Sequence, residues 1–206
     1  MRVALSVGHS TKDSGAVAHH NGKKYKEYDL NKKLFEEIIK LPLKNAEWWQ
    51  ADQLCDNLPY PSHLNKTIRQ INAHNCACAI EIHHNSVWNK DVRGGMAIYW
   101  DTSVKGKLLS DMIAWQMQFL PKGVGFDGVK THWVGKQREY YNVGSLGTIR
   151  HIGRRLAFLG KTKVPAVIVE PIFMSNYDDL MFGIEHRVEI ARAIRNGVDA
   201  WCKANG

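Results

Sequence analysis

The chain has 206 residues, enough for one domain with a sizeable core, and 44% of them are hydrophobic. Its four cysteines, Cys55, Cys76, Cys78 and Cys202, form no Cys-x-x-Cys pair and are too sparse for a disulfide scaffold, which excludes a small bridge-built fold. The formal net charge of +8 favours an anionic partner, be it nucleic acid, anionic lipid or acidic wall polymer, without choosing among them.

At the N-terminus stand one basic residue, Arg2, and an apolar run of about five residues, too short for a signal-peptide core or a membrane span. Synthesis in the cytoplasm without an export signal is therefore the expectation. Val3 to Val7 reads as a short buried strand, followed by a polar loop through His19, His20 and Lys23. From Glu27 to Lys40 the residues Leu30, Leu34, Ile38 and Leu41 recur at helical spacing, and Pro42 ends the helix. Ala46 to Trp49 reads as a second strand, Leu64, Ile68 and Ile71 mark another amphipathic helix, and Cys76 to Ile82 and Gly95 to Trp100 read as the third and fourth strands. Val104, Leu108, Met112, Trp115 and Phe119 then repeat at helical spacing until Pro121. Lys122 to Asn142 reads as irregular. A helix is predicted from Ser145 to Leu159, with Gly160 just past its end. Ala166 to Val169 is the most hydrophobic strand. Ser175 or Asn176 can cap a final helix whose face is Leu180, Ile184, Val188, Ala191, Ile194, Val198 and Trp201. This alternation predicts a single α/β domain over residues 1–206, with a largely parallel twisted sheet of about five or six strands flanked by helices and no separate wall-binding module.

Three apolar segments end in polar outcrops: Val7-Gly8-His9-Ser10, Glu81-Ile82-His83-His84-Asn85-Ser86 and Val167-Ile168-Val169-Glu170-Pro171. Ligands commonly bind at strand ends of such sheets, so histidines and a glutamate gathered there point to metal-assisted chemistry. A hydrolytic zinc site needs about three nitrogen or oxygen ligands and an open position. His9 can supply one nitrogen, although a loop histidine bonded to neighbouring backbone is an equal alternative. His83 or His84 can supply another, but adjacent strand residues face opposite sides and only one can turn to a given ion. Glu27 shares the apolar face of its helix in the first turn; read from the helix alone, complementing the helix dipole is its simpler role. Glu170, at the end of an apolar strand, needs a partner that a cation or a transferable proton would provide.

Gly8-His9, Glu27 before Asp29-Leu30-Asn31, Ile82-His83-His84-Asn85-Ser86, and Pro165 to Glu170 with Phe173-Met174-Ser175-Asn176 together resemble the zinc-dependent N-acetylmuramoyl-L-alanine amidases of the amidase-3 type, from near residue 3 to near residue 200. The resemblance implies that His9, Glu27 and His83 bind one zinc ion and that Glu170 is the catalytic carboxylate. It further implies cleavage of the amide between N-acetylmuramic acid and L-alanine in peptidoglycan, with Asn85 and His84 as outer supports. Glu81, Ser10 and Pro171 depart from the family's usual pattern without removing a ligand; Glu81 is expected to be on the surface or salt-bridged. The resemblance extends to phage or prophage endolysins, which reach the wall once the membrane is opened.

A basic stripe of Arg150, His151, Arg154 and Arg155, extended by Lys161 and Lys163, could hold an anionic wall polymer or an outer-membrane surface, though such stripes are commonly solvated faces. The sequence leaves two rival functions. One is a zinc carboxypeptidase or endopeptidase of stem peptides. The other is a non-catalytic nucleic-acid binder using the basic charge with Trp133, Tyr140 and Tyr141, which leaves His9, His83 and Glu170 unexplained and is not favoured. Cys76 and Cys78 lack a chelating gap and read as core thiols.

Overall fold

The structure, a computed structural model, describes residues 1–52, 57–120, 138–143, 146–151 and 156–206. In chain order the elements are β1 (Arg2–Val7), β2 (Val17–His20), β3 (Lys23–Lys26), α1 (Glu27–Ile39), β4 (Glu47–Gln50), α2 (Tyr60–Ala73), β5 (Cys78–Ile82), β6 (Gly95–Trp100), α3 (Val104–Met117), β7 (Arg138–Val143), β8 (Leu146–His151), α4 (Ala157–Lys161), β9 (Ala166–Glu170), α5 (Tyr177–Glu185) and α6 (Arg187–Asn205). One sheet runs β4-β1-β5-β9-β6-β8-β7, and β2 pairs with β3 in a separate hairpin. The pairs β1 with β4, β1 with β5 and β5 with β9 are parallel, whereas β6 runs antiparallel to β9. This is the α/β class with a mostly parallel sheet that the alternation of elements predicts.

Side-chain alternation divides the core into two layers. Val3, Leu5 and Val7 of β1, Cys78, Ile80 and Ile82 of β5, and Val167 and Val169 of β9 pack with α1, α3 and α6 on one face. Ala4, Ala79, Ala166 and Ile168 pack with Ile68 and Ile71 of α2 and Phe158 and Leu159 of α4 on the other. Because α1 and α2 leave the sheet on opposite faces, a crevice opens over the C-terminal ends of β1 and β5, as at other switch points in such sheets. Register levels these ends: Val7 pairs with Ile82, and Ile82 with Val169. On the α1 face, α6 approaches α3 closely at Gly197, where an added Cβ would lie 2.5 Å from the Ile113 Cα.

Four expectations are corrected. The polar stretch at His19, His20 and Lys23 is the β2–β3 hairpin, whose solvated strands give little hydrophobic alternation. The predicted helix from Ser145 to Leu159 is instead strand β8 at Leu146–His151 and helix α4 at Ala157–Lys161, so Gly160 lies within a helix rather than after one. The irregular stretch from Lys122 to Asn142 contains strand β7 from Arg138 onward, and its earlier part lies outside the described residues. The final helix is two, broken at His186; Asn176 caps the first of them, accepting from the Asp179 amide. Arg150 and His151 consequently sit on a strand, while Arg154 and Arg155 lie outside the described residues, and the basic stripe has no common helix. Among the described residues no helix is long and apolar enough to cross a membrane.

Candidate active site

β1 ends at Val7, and the Gly8 amide donates to the Ile82 carbonyl at 2.8 Å, carrying the chain across the end of β5. His9 follows with φ of 68°, a left-handed conformation uncommon for a residue with a Cβ, which turns its ring into the crevice. Ser10 stabilises the turn beyond it: its buried hydroxyl donates to the Leu58 carbonyl at 2.6 Å and accepts from the Asp13 amide at 3.2 Å. The Ser10 departure thus has a structural use.

Glu27 is fixed by the loop before α1. Its amide donates to the Ala16 carbonyl at 2.9 Å, and its Oε2 accepts from the Ala16 amide, also at 2.9 Å. The Tyr28 amide donates to the Ser14 carbonyl, so loop carbonyls satisfy first-turn donors in place of a side-chain cap. Glu27 is buried, and its side chain binds histidines on both sides. Oε2 lies 3.1 Å from His9 Nε2, and Oε1 lies 2.9 Å from His83 Nδ1. Burial acts most strongly on this carboxyl and pulls its pKa upward, but the bonds and charges of His83 and His9 together hold it far below the usual carboxylate range. Dipole complementation alone does not explain this placement.

The two adjacent histidines diverge, as strand alternation requires. His83 follows Ala79 and Glu81 on the α2 face, and its Nε2 lies 3.2 Å from Glu81 Oε2. Burial lowers the pKa of His83, yet the bonds to Glu27 and Glu81 outweigh it and raise it well above the ordinary value. Two carboxylates therefore favour positive charge at this ring. His84 turns to α1, where its Nδ1 lies 2.7 Å from Asn31 Oδ1. Asn31 Nδ2 donates in turn to the Gly8 carbonyl at 3.0 Å, so its oxygen is free to accept and His84 donates through Nδ1. Burial, with the nearby His83 charge, pushes the His84 pKa down to about 3, although Glu27 opposes the shift. This ring supports the Gly8 turn, while the His84 backbone amide reaches Glu27 Oε1 at 3.4 Å.

Asn85 binds further out. Its amide donates to the Ile172 carbonyl and its carbonyl accepts from the Met174 amide, tying the ends of β5 and β9 together. Glu81 is 1% exposed, so a surface position is excluded and it is paired with His83.

A cavity of about 330 Å³ collects His9, Glu27, Tyr60, Glu81, His83 and Glu170 on its walls. All four residues singled out from the sequence, His9, Glu27, His83 and Glu170, thus line one space. Donor atoms of His9, Glu27 and His83 lie within 4.8 Å of one another, a group that can hold a metal ion. Two nitrogens and one carboxylate oxygen suit a zinc-type cation, and His9, paired with Glu27 through Nε2, keeps a buried Nδ1 that has no hydrogen-bond partner among the described residues. The donor set therefore fits such an ion. Tyr60 was not legible as a site residue: its ring stacks on His9 at 4.5 Å, and burial, then Glu81 and Glu27, push its phenol far above the ordinary pKa and keep it protonated.

The chain is similar to known proteins over nearly its whole length. The family model described as N-acetylmuramoyl-L-alanine amidase, amidase-3, matches residues 3–200. Among solved structures, an N-acetylmuramoyl-L-alanine amidase from Clostridium difficile 630 matches with a TM-score of 0.75 at 17% identity, covering 100% of this chain and 98% of the other. AmiC2, an N-acetylmuramoyl-L-alanine amidase of Nostoc punctiforme, gives 0.70 at 21% identity over 98% and 97% of the two chains. The catalytic domain of the CD27L endolysin targeting Clostridia difficile gives 0.68 at 22% identity over 96% of each. No curated protein sequence matches the chain.

Proposed function

We propose that this chain, which belongs to the amidase-3 family of N-acetylmuramoyl-L-alanine amidases, performs that hydrolysis with one zinc ion held by His9, Glu27 and His83 and with Glu170 as proton carrier. The observation that carries the reading is the convergence of those three donors within 4.8 Å in the cavity that Glu170 also lines. Zinc bound there supplies a Lewis acid for the scissile carbonyl and lowers the pKa of a water toward neutrality. Glu170 accepts a proton from the attacking water at the lactyl carbonyl of N-acetylmuramic acid, then returns it to the L-alanine nitrogen as the C–N bond breaks. The products are a glycan bearing a free lactyl carboxylate and a stem peptide with a free amino terminus. Glu27, kept ionised by its two histidines, holds negative charge in place for the cation without competing for that proton.

Zinc content separates the roles. His9→Ala and His83→Ala are expected to lose both metal and hydrolysis, and Glu170→Gln to keep the metal and lose hydrolysis. Near-normal wall hydrolysis by folded Glu170→Gln would remove the assignment.

A lytic, endolysin-like role belongs to the same proposal, with action on the wall after the membrane is opened; its support is the fold shared with the CD27L catalytic domain. The β2–β3 hairpin, which leads directly into Glu27, exposes Lys23, Lys24 and Lys26, a positive surface suited to an anionic wall polymer.

A further inference from the structure

Glu81 is the buried charge that the proposed chemistry does not use. It stands two residues before His83 on β5, so both side chains project from the same face of the sheet. It is 1% exposed, and among the described residues neither of its oxygens makes a well-directed hydrogen bond and its one close ion-pair partner is His83, whose Nε2 lies 3.2 Å from Oε2. Burying a carboxylate with so little compensation is costly, and an apolar residue would complete the strand more cheaply. The cost is incurred at a single place, the far end of the His83 ring.

A Cβ at Gly8 would lie 2.2 Å from His83 Nε2, 2.4 Å from Cε1 and 2.5 Å from Cδ2, so the Gly8 backbone packs against the face of the ring and limits its tilt. Nδ1 points the other way, 2.9 Å from Glu27 Oε1, and the donor group within 4.8 Å comprises His9, Glu27 and His83 without Glu81. We infer that Glu81 is a positioning residue: its Oε2, 3.2 Å from His83 Nε2, takes the proton of that nitrogen after a small turn of either side chain, which leaves Nδ1 as the nitrogen that meets the cation. A carboxylate on the far nitrogen fixes ring orientation and tautomer and makes the near nitrogen a stronger ligand. The inference rests on the metal reading of His9, Glu27 and His83.

The test uses purified full-length protein loaded with zinc. In the wild type, nitrogen-15 NMR of the histidine rings is expected to show His83 protonated at Nε2 and metal-bound through Nδ1. Competition with a chromogenic chelator is expected to show zinc affinity falling about 10- to 100-fold in Glu81→Ser. Glu81→Gln, which keeps an acceptor oxygen, restores most of the affinity, and the Nε2 proton signal, lost to exchange in Glu81→Ser, returns. Metal bound through Nε2 in the wild type overturns the inference without needing any variant. So does a Glu81→Ser protein with unchanged affinity, or one whose affinity falls while its Nε2 proton stays protected, since the carboxylate would then act as a ligand or a bulk charge. A wild-type protein that binds no zinc defeats the metal reading itself, a separate result.

Discussion

Glu170 and His84 leave adjoining strands a few residues apart in space, and their surroundings give them opposite uses. Glu170 is half-buried on the wall of the cavity, a placement that suits the proton-carrying role proposed for it. Glu170→Gln is expected to lower peptidoglycan hydrolysis on the order of 10²–10⁴-fold, the usual range for a general base, with zinc content unchanged. His84 is buried and donates to Asn31, so the fold holds it neutral. Its pKa falls to about 3 when folded, against an ordinary 6.5, so the folded state binds fewer protons in between. The stability it contributes is complete above about pH 6.5 and is lost as pH falls toward 3, with a slope of up to about 1.4 kcal/mol per pH unit. Urea unfolding of His84→Gln across that window should show a flatter fall than the wild type. Parallel curves would mean that another group carries the acid sensitivity.

At the scale of elements, the close approaches make the sharpest predictions. Gly8 lets the His83 ring lie against the β1 turn; a methyl there would sit 2.2 Å from Nε2. Gly8→Ala is expected to turn the ring and weaken zinc binding about tenfold or more, read by chelator competition. Gly197 serves packing instead. Its absent Cβ would meet Ile113 backbone at 2.5 Å, so Gly197→Ala must separate α6 from α3 and should cost about 1–3 kcal/mol in urea unfolding, with zinc binding retained. Which elements could be read from sequence follows from the same physics. β1, β5 and β9 are apolar on both faces because helices cover both, and such runs are conspicuous. The β2–β3 hairpin is solvated and carries almost no apolar alternation. The break at His186 is hidden because the apolar face continues across it, from Leu180 to Ile190, while the backbone turns. Around Leu146 to Leu159 the spacing of apolar residues fits a helix, but β-strand pairing with β6 prevails for Leu146–His151.

For the whole molecule, topology does what no local motif can. His9, Glu27, His83 and Glu170 span most of the sequence, and parallel pairing of β1, β5 and β9 brings three of them to one end of the sheet, while α1 starts Glu27 beside them. Helix phase exposed Glu27 as unusual, and strand alternation showed that His83 and His84 differ. Neither could show that Tyr60 would stack on His9, or that Glu81 would be buried against His83, because those contacts depend on α2 and the Gly8 turn arriving from elsewhere. The proposed reaction is a metal-dependent cut between N-acetylmuramic acid and L-alanine. It is tested most directly by mass analysis of purified peptidoglycan digested by metal-analysed protein, with a chelator and after zinc is restored. The expected result is one zinc per chain and release of stem peptides with free L-alanine amino termini from intact glycan, abolished by chelator and recovered with zinc. Undiminished release of those peptides from protein stripped of metal would contradict it.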